Sequence, residues 1–226
     1  MLAQPCVGAH AHAAPRADTN FSSERLHDIY SSDLVNTVGN CASRVTAMIG
    51  KYCDGLAPSD RDSAGAFIAV GAAAAPVDWP RCSAAAAATS LAAYEALDLA
   101  TAARTAIRLV TDVDVYIQAT EPFKLAKEPG RGAELGAILY QCLEAVRIAG
   151  VLLEPLMPSK MAELAGALGG VEGTIAERAA WGGLRPGTPL PKLALFPRAD
   201  SPDAPPAAAP QPPKPAKKQK ANKTAE

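Results

Sequence analysis

Asn36, Asn40 and Arg44 recur at i, i+4 and i+8 in a stretch whose apolar residues keep a helical period. At about 100° per residue the three fall on one ridge, offset by roughly 100° from the centre of the apolar stripe, so they flank a core at the edge of a groove. An amide offers both donor and acceptor, and a guanidinium one turn away adds a planar fork of donors. Together these groups can read the Watson-Crick edge of an unpaired base. The same residue types also bond neighbouring helices inside bundles, and the spacing alone leaves both roles open. No catalytic arrangement accompanies the ridge. His10, His12 and His27 have no Ser or Cys nucleophile context, there is no glycine-rich phosphate loop, and the carboxylates are spread along helix surfaces. His10 and His12 have the spacing of a metal pair, but they stand in a stretch that reads as an inert flexible arm.

The elements that must carry the ridge are helical. Ser22 is a plausible N-cap with Glu24 in the first turn, and Leu26, Tyr30, Leu34, Val38, Cys41, Val45 and Met48 alternate in steps of three and four, predicting one long helix from Ser22 to Tyr52. Asp54-Gly55 ends it, and a Pro/Gly/Ala-rich connection with Phe67, Ile68 and Trp79 as anchors runs to about Pro80. An Ala-rich helix is expected from about Arg81 to Leu97. After Asp98 or Thr101 as cap, a further helix carries Ile107, Val110, Val113 (or Asp114) and Ile117, with Pro122 at its end. Another opens near Glu134 and lines up Leu135, Ile138, Leu139, Cys142, Val146, Ala149 and Leu153 before Pro155 and Pro158. Ser159 is expected to cap a short helix that Gly169-Gly170 terminates. The segment from Trp181 to Arg198 has too many prolines and glycines for regular structure and should lie across the bundle through Trp181, Leu184, Leu195 and Phe196.

Composition agrees with an all-α fold: 49% of residues are hydrophobic, only 5% are aromatic and alanine is abundant, which favours close helix packing through small side chains. The reading is a flexible arm over 1–20, a helical bundle over 21–198, and a disordered Pro/Ala/Lys-rich tail over 199–226. The tail carries Lys214, Lys217, Lys218, Lys220 and Lys223, which suit weak, salt-sensitive contact with phosphates. A net charge of −1 gives no chain-wide footprint for a nucleic-acid partner, so any such contact must be local. Cys6, Cys41, Cys53, Cys82 and Cys142 are odd in number and lack CxxC spacing. They read as reduced thiols, with Cys41 and Cys142 acting as small hydrophobes on apolar stripes. No uninterrupted apolar run reaches the roughly 18 residues of a membrane span, and no membrane or DNA partner is expected. The first twenty residues are too poor in basic groups for a confident transit peptide.

The segment Ser32 to Tyr52 resembles the first anticodon-domain helix of methionyl-tRNA synthetases, whose pattern is D-L-(A/V)-N-x-(V/L)-(G/V)-N-x-x-S-R followed by an apolar turn and K-Y/R-F-D-G. Three further segments resemble that family in its order: Tyr116-Ile117 with Thr120 to Lys127; Leu139-Tyr140 with Glu144 to Arg147 and the run to Pro158; and Trp181-Gly182 ahead of Leu195 to Arg198. The resemblance spans roughly Phe21 to Arg198. It implies the helical anticodon-binding bundle of class I synthetases and binding of the CAU anticodon of tRNA-Met. Asn40 and Arg44 would meet the first anticodon base, Phe123 would stack on anticodon bases, and Lys124 and Lys127 are candidates for phosphate contact. Phe123 stands where the family pattern usually has Trp, and Asp114 where it usually has Asn, an unhelpful charge beside RNA.

The family's H-I-G-H and K-M-S-K-S nucleotide-binding motifs do not occur in the sequence. The expectation is therefore an anticodon-binding part of a methionine-tRNA ligase that is inactive alone and has no cofactor of its own. ATP and Mg would enter only through a catalytic domain supplied in cis or in trans. The expected compartment is cytoplasmic, with mitochondrion or plastid as the alternative. The competing function is a free-standing helical scaffold or regulatory tRNA-binding factor derived from a synthetase.

Overall fold

The computed structural model describes residues 22–59 and 77–198. The predicted arm over 1–20, Phe21, the anchors Phe67 and Ile68, and the tail from 199 lie outside the described residues. All regular elements among the described residues are helices. The one β-type pairing is an isolated bridge between Leu56 and Pro189.

Ser22 caps α1 (Ser23–Ile29) by accepting the Arg25 N–H. The helical path then runs without a break through a π-helical segment (Tyr30–Gly39) into α2 (Asn40–Tyr52). The sequence predicts the path but not its widened middle, where backbone bonds reach five residues back. The Asn40 N–H reaches the Val35 carbonyl, and the Thr37 hydroxyl donates to the Ser32 carbonyl at 2.8 Å. The C-terminal segment clasps this stretch: the Tyr30 hydroxyl donates to the Pro197 carbonyl at 2.7 Å and the Tyr30 ring meets Phe196 edge-on. Gly39 makes room for the clasp, since a Cβ there would lie 3.3 Å from the Phe196 ring and 3.1 Å from the Leu34 carbonyl oxygen. The widening also corrects the predicted core stripe. Leu26 is 56% exposed and α1 buries nothing, so the core begins at Val38 and continues through Cys41, Ala42, Val45 and Ile49. A change of hydrogen-bond register turns the faces on its two sides relative to each other, which a constant 3.6 period cannot anticipate.

The other helices follow their local signals with small offsets. Helix α3 (Trp79–Glu95) opens two residues earlier than expected because Asp78 caps it and Pro80 sits in its first turn. Trp79, expected as a loop anchor, is therefore helical and buried. Asp98 caps α4 (Leu99–Thr120), accepting both the N–H and the hydroxyl of Thr101. Glu121, in the left-handed region at φ 44°, ends α4 as expected near Pro122, and Pro122 then starts a short α5 (Pro122–Leu125) that the sequence reading does not name. Helix α6 (Gly132–Leu153) is the central post against which α2, α3, α4, α5 and α7 pack. Ile138, Leu139, Leu143, Ile148 and Leu152 on it are fully buried, each contributing about 1.5–3 kcal/mol. By length and composition α6 is also apolar enough to cross a bilayer, but 89% of that window is buried in the bundle. Helix α7 (Pro158–Ala167) starts with Met157 at its cap, so Ser159 lies inside it and does not cap it. Gly169 and Gly170 close it as expected, with the Gly170 N–H reaching the Ala165 carbonyl at 2.8 Å. A further single turn, α8 (Ile175–Arg178), carries a capping box between Thr174 and Glu177.

The segment after α8 returns across the bundle as predicted, and an ion pair inside the bundle fastens it. Glu144 and Arg147, one turn apart on α6, are 0% and 5% exposed. Arg147 donates to both Glu144 oxygens at 2.7 and 2.8 Å and also to the carbonyls of Arg178 and Ala180. The carboxylate accepts the N–H groups of Gly182, Gly183 and Leu184 at 2.7–3.0 Å. Gly183 must lack a side chain, because a Cβ would lie 2.7 Å from the Arg147 guanidinium carbon. Farther along, Leu193 and Leu195 are buried, and residues 187–190 bond to Gly55 and Ala57.

Breaking such a buried pair leaves an unpaired charge, so Glu144→Ala should lower stability by about 3–5 kcal/mol in urea unfolding. The same variant should expose residues 182–198 to limited proteolysis before the helices are cut. An unchanged urea midpoint with an uncut segment would count against this role.

Candidate nucleic-acid interface

The polar ridge lies on the π segment and α2, outside the core that begins beneath it. Asn36 and Asn40 are exposed, and neither amide has a side-chain hydrogen bond among the described residues. Between and behind them Val38, Gly39, Cys41 and Ala42 are buried, which fixes the backbone and leaves the amides outward. Because Asn36 belongs to the π segment, the expected straight ridge is kept only from Asn40 to Arg44.

Arg44 bridges to α4. One of its η nitrogens lies 2.7 Å from an Asp114 carboxylate oxygen, with the two side chains 40% and 20% exposed. Arg44 thus joins two helices, the second of the roles the sequence leaves open, while its side chain stays partly exposed. The sequence offers Asp114 both as an alternative to Val113 on the apolar stripe and as an unhelpful charge beside RNA; Val113 takes the core position, and the pairing of Asp114 with Arg44 is not foreseen. A contact 70 residues apart leaves no local signal. Burial holds the Asp114 carboxyl above its usual range, and the Arg44 charge opposes that shift. Directly beneath, burial pushes the Cys41 and Cys142 thiols far up, so both stay protonated and serve as core residues, as their stripes predicted.

Phe123 sits on α5, which the Glu121 turn swings off the end of α4. Its neighbours Pro122 and Leu125 are buried while its own ring is 45% exposed. Six residues, about 9 Å of helix rise, separate Asp114 from the last residue of α4. Lys124 pairs with Glu121 at 2.7 Å on the surface, whereas Lys127 is exposed and has no ion-pair partner among the described residues. No cluster of three metal-ligating side chains occurs among the described residues. Among the described residues the arrangement thus offers two amides without a hydrogen-bond partner, a partly exposed arginine, a partly exposed phenylalanine and the Lys127 ammonium, groups able to bind and orient a ligand.

No family model matches the chain. A methionine-tRNA ligase of Streptomyces coelicolor is 36% identical over 199 residues, covering 83% of this chain and 35% of the relative. Those of Deinococcus radiodurans and Thermotoga maritima are 35% and 33% identical, over 81% and 82% of this chain and 26% and 28% of their own lengths. Among solved structures, the free form of Mycobacterium tuberculosis methionyl-tRNA synthetase matches 80% of this chain and 36% of its own, with a TM-score of 0.65 and 26% identity. The bundle and these matches relate the chain to part of the aminoacyl-tRNA synthetases. More particularly, it is a relative of the methionyl-tRNA synthetases and spans between 20% and 36% of the length of the relatives it matches.

With a folded-state pKa above the unfolded value, Asp114 adds most to stability when protonated, and that contribution is lost as pH rises through the folded pKa. Removing the opposing Arg44 charge should raise the Asp114 pKa further. In Arg44→Ala, carboxyl NMR titration should therefore place Asp114 above its position in the parent protein, and the variant's stability deficit should shrink as pH falls. A lowered Asp114 pKa in the variant would contradict the pairing.

Proposed function

We propose that this chain is the anticodon-binding part of a methionine-tRNA ligase, recognising the CAU anticodon of tRNA-Met. Asn40 and Arg44 read the first anticodon base, Phe123 supplies a stacking face, and Lys127, with Lys124 once released from Glu121, meets the phosphates. The observation that carries this reading is the half-exposed guanidinium of Arg44 one turn from the unpaired Asn40 amide, at the positions matching the family's N-x-x-S-R motif. An unpaired base presents its Watson-Crick edge to such donors and acceptors, and a partly exposed ring accepts any base by stacking. Activation of methionine falls to a catalytic domain in cis or in trans. That domain would bring the ATP and Mg sites, and the expected setting is the cytoplasm.

Binding of anticodon stem-loops tests the reading. A CAU loop should bind better than one with its first base changed to uracil or guanine, and Arg44→Ala should lose about 1–3 kcal/mol for CAU and little for the changed loops. Phe123→Ala should weaken all loops by a comparable amount, while Phe123→Trp should tighten them. Equal loss for every loop in Arg44→Ala would leave Arg44 with a structural role only.

The 226-residue chain alone should give no methionine-dependent ATP-pyrophosphate exchange. Exchange above background in protein free of host synthetase would overturn the division of labour.

A further inference from the structure

The Arg44 to Asp114 contact is single-pronged. One η nitrogen is bound at 2.7 Å, and Asp114 is the one hydrogen-bonding partner of Arg44 among the described residues. A guanidinium has five N–H donors in a rigid planar fork. Fixing the η nitrogen nearest the stem leaves the Nε and second η donors side by side on the opposite edge, the pair that makes parallel bonds to a planar acceptor. Asp114 is well placed to act as the fixed end. Its carboxylate is four-fifths covered, and its helix neighbours Val110 and Val113 pack in the core, as do Cys41 and Val45 on either side of Arg44. The pair therefore joins two backbones that cannot drift apart without opening the core.

We propose that Asp114 is a positioning residue for base selection: it holds Arg44 by one nitrogen and presets the remaining edge as a two-donor fork facing the ligand. This rests on the anticodon reading given above and assigns part of the selectivity to a residue that need not touch RNA. An arginine loses much rotamer freedom when ordered, and a side chain already held in its binding orientation avoids that loss when ligand arrives. The carboxylate charge repels phosphates and so lowers affinity for every loop alike. Selectivity and overall affinity thus respond in opposite directions to its removal.

The experiment uses the full chain and two stem-loops differing only in the first anticodon base, C or U, with melting temperatures as a fold control. In Asp114→Ala the ratio of affinities should collapse by about tenfold towards unity, while affinity for the U loop stays level or rises. Asp114→Asn, which keeps an acceptor oxygen and removes the charge, should preserve the ratio within about twofold and tighten both loops. Arg44→Ala combined with Asp114→Ala should show no further loss of ratio beyond either alone. A parental ratio retained in Asp114→Ala, or equal weakening of both loops, overturns the positioning role while the anticodon reading stands. A parent protein that does not distinguish the loops overturns the anticodon reading, and this inference with it.

Discussion

A carboxylate and a guanidinium one helical turn apart, both sealed inside the bundle, form the constraint on which the rest of the molecule depends. Charges taken out of water need full compensation. Glu144 and Arg147 find it in each other and in five backbone groups of the returning chain: two carbonyls at Arg178 and Ala180 and three N–H groups from Gly182 to Leu184. The returning segment is thereby a structural partner of the core rather than a strip laid on its surface. From that anchor it runs through buried Leu193 and Leu195 to Phe196 and Pro197, which grip Tyr30 and Gly39. The π segment under this grip leads directly into Asn40. A continuous series of contacts thus links the central ion pair to the backbone that presents the polar ridge.

The candidate site draws on three elements, and each is placed by a different kind of interaction. Apolar burial of Cys41, Ala42 and Val45 sets α2, and a half-buried ion pair ties it to α4. A left-handed residue followed by proline redirects the chain so that Phe123 is exposed while Pro122 and Leu125 are buried. Nothing in this set demands flexibility, and a rigid frame suits recognition of a base that has already left its stack.

Much of this was legible in the sequence because the signals were local. The caps at Ser22 and Asp98, the glycines after α7 and the stripe on α6 each named an element and lay within a few residues of it. Two of the failures come from distant contacts. The π segment Tyr30–Gly39 is contacted by Phe196 and Pro197 some 160 residues away, and the Arg44 partner lies on another helix, so neither contact leaves a mark on its neighbours. Leu26 fits a constant helical period but is exposed, because that period does not continue across the register change. Ser159 has a residue type that suits a cap, but Pro158 takes the first helical position and moves the cap to Met157, a local effect. The candidate residues themselves were visible as types and spacings. Whether Arg44 was bound or open could come only from tertiary contacts, and it is partly both.

The central claim is that the face carrying Asn40, Arg44 and Phe123 meets the anticodon. Its most direct test is NMR titration of the full chain with a CAU stem-loop, following the Arg44 Nε–H, the Asn40 side-chain amide and the Phe123 ring. All three signals should shift together and saturate at one equivalent, with much smaller shifts at α7 and α8. Shifts confined to the lysines between 214 and 223, with these three unmoved at saturation, would contradict it.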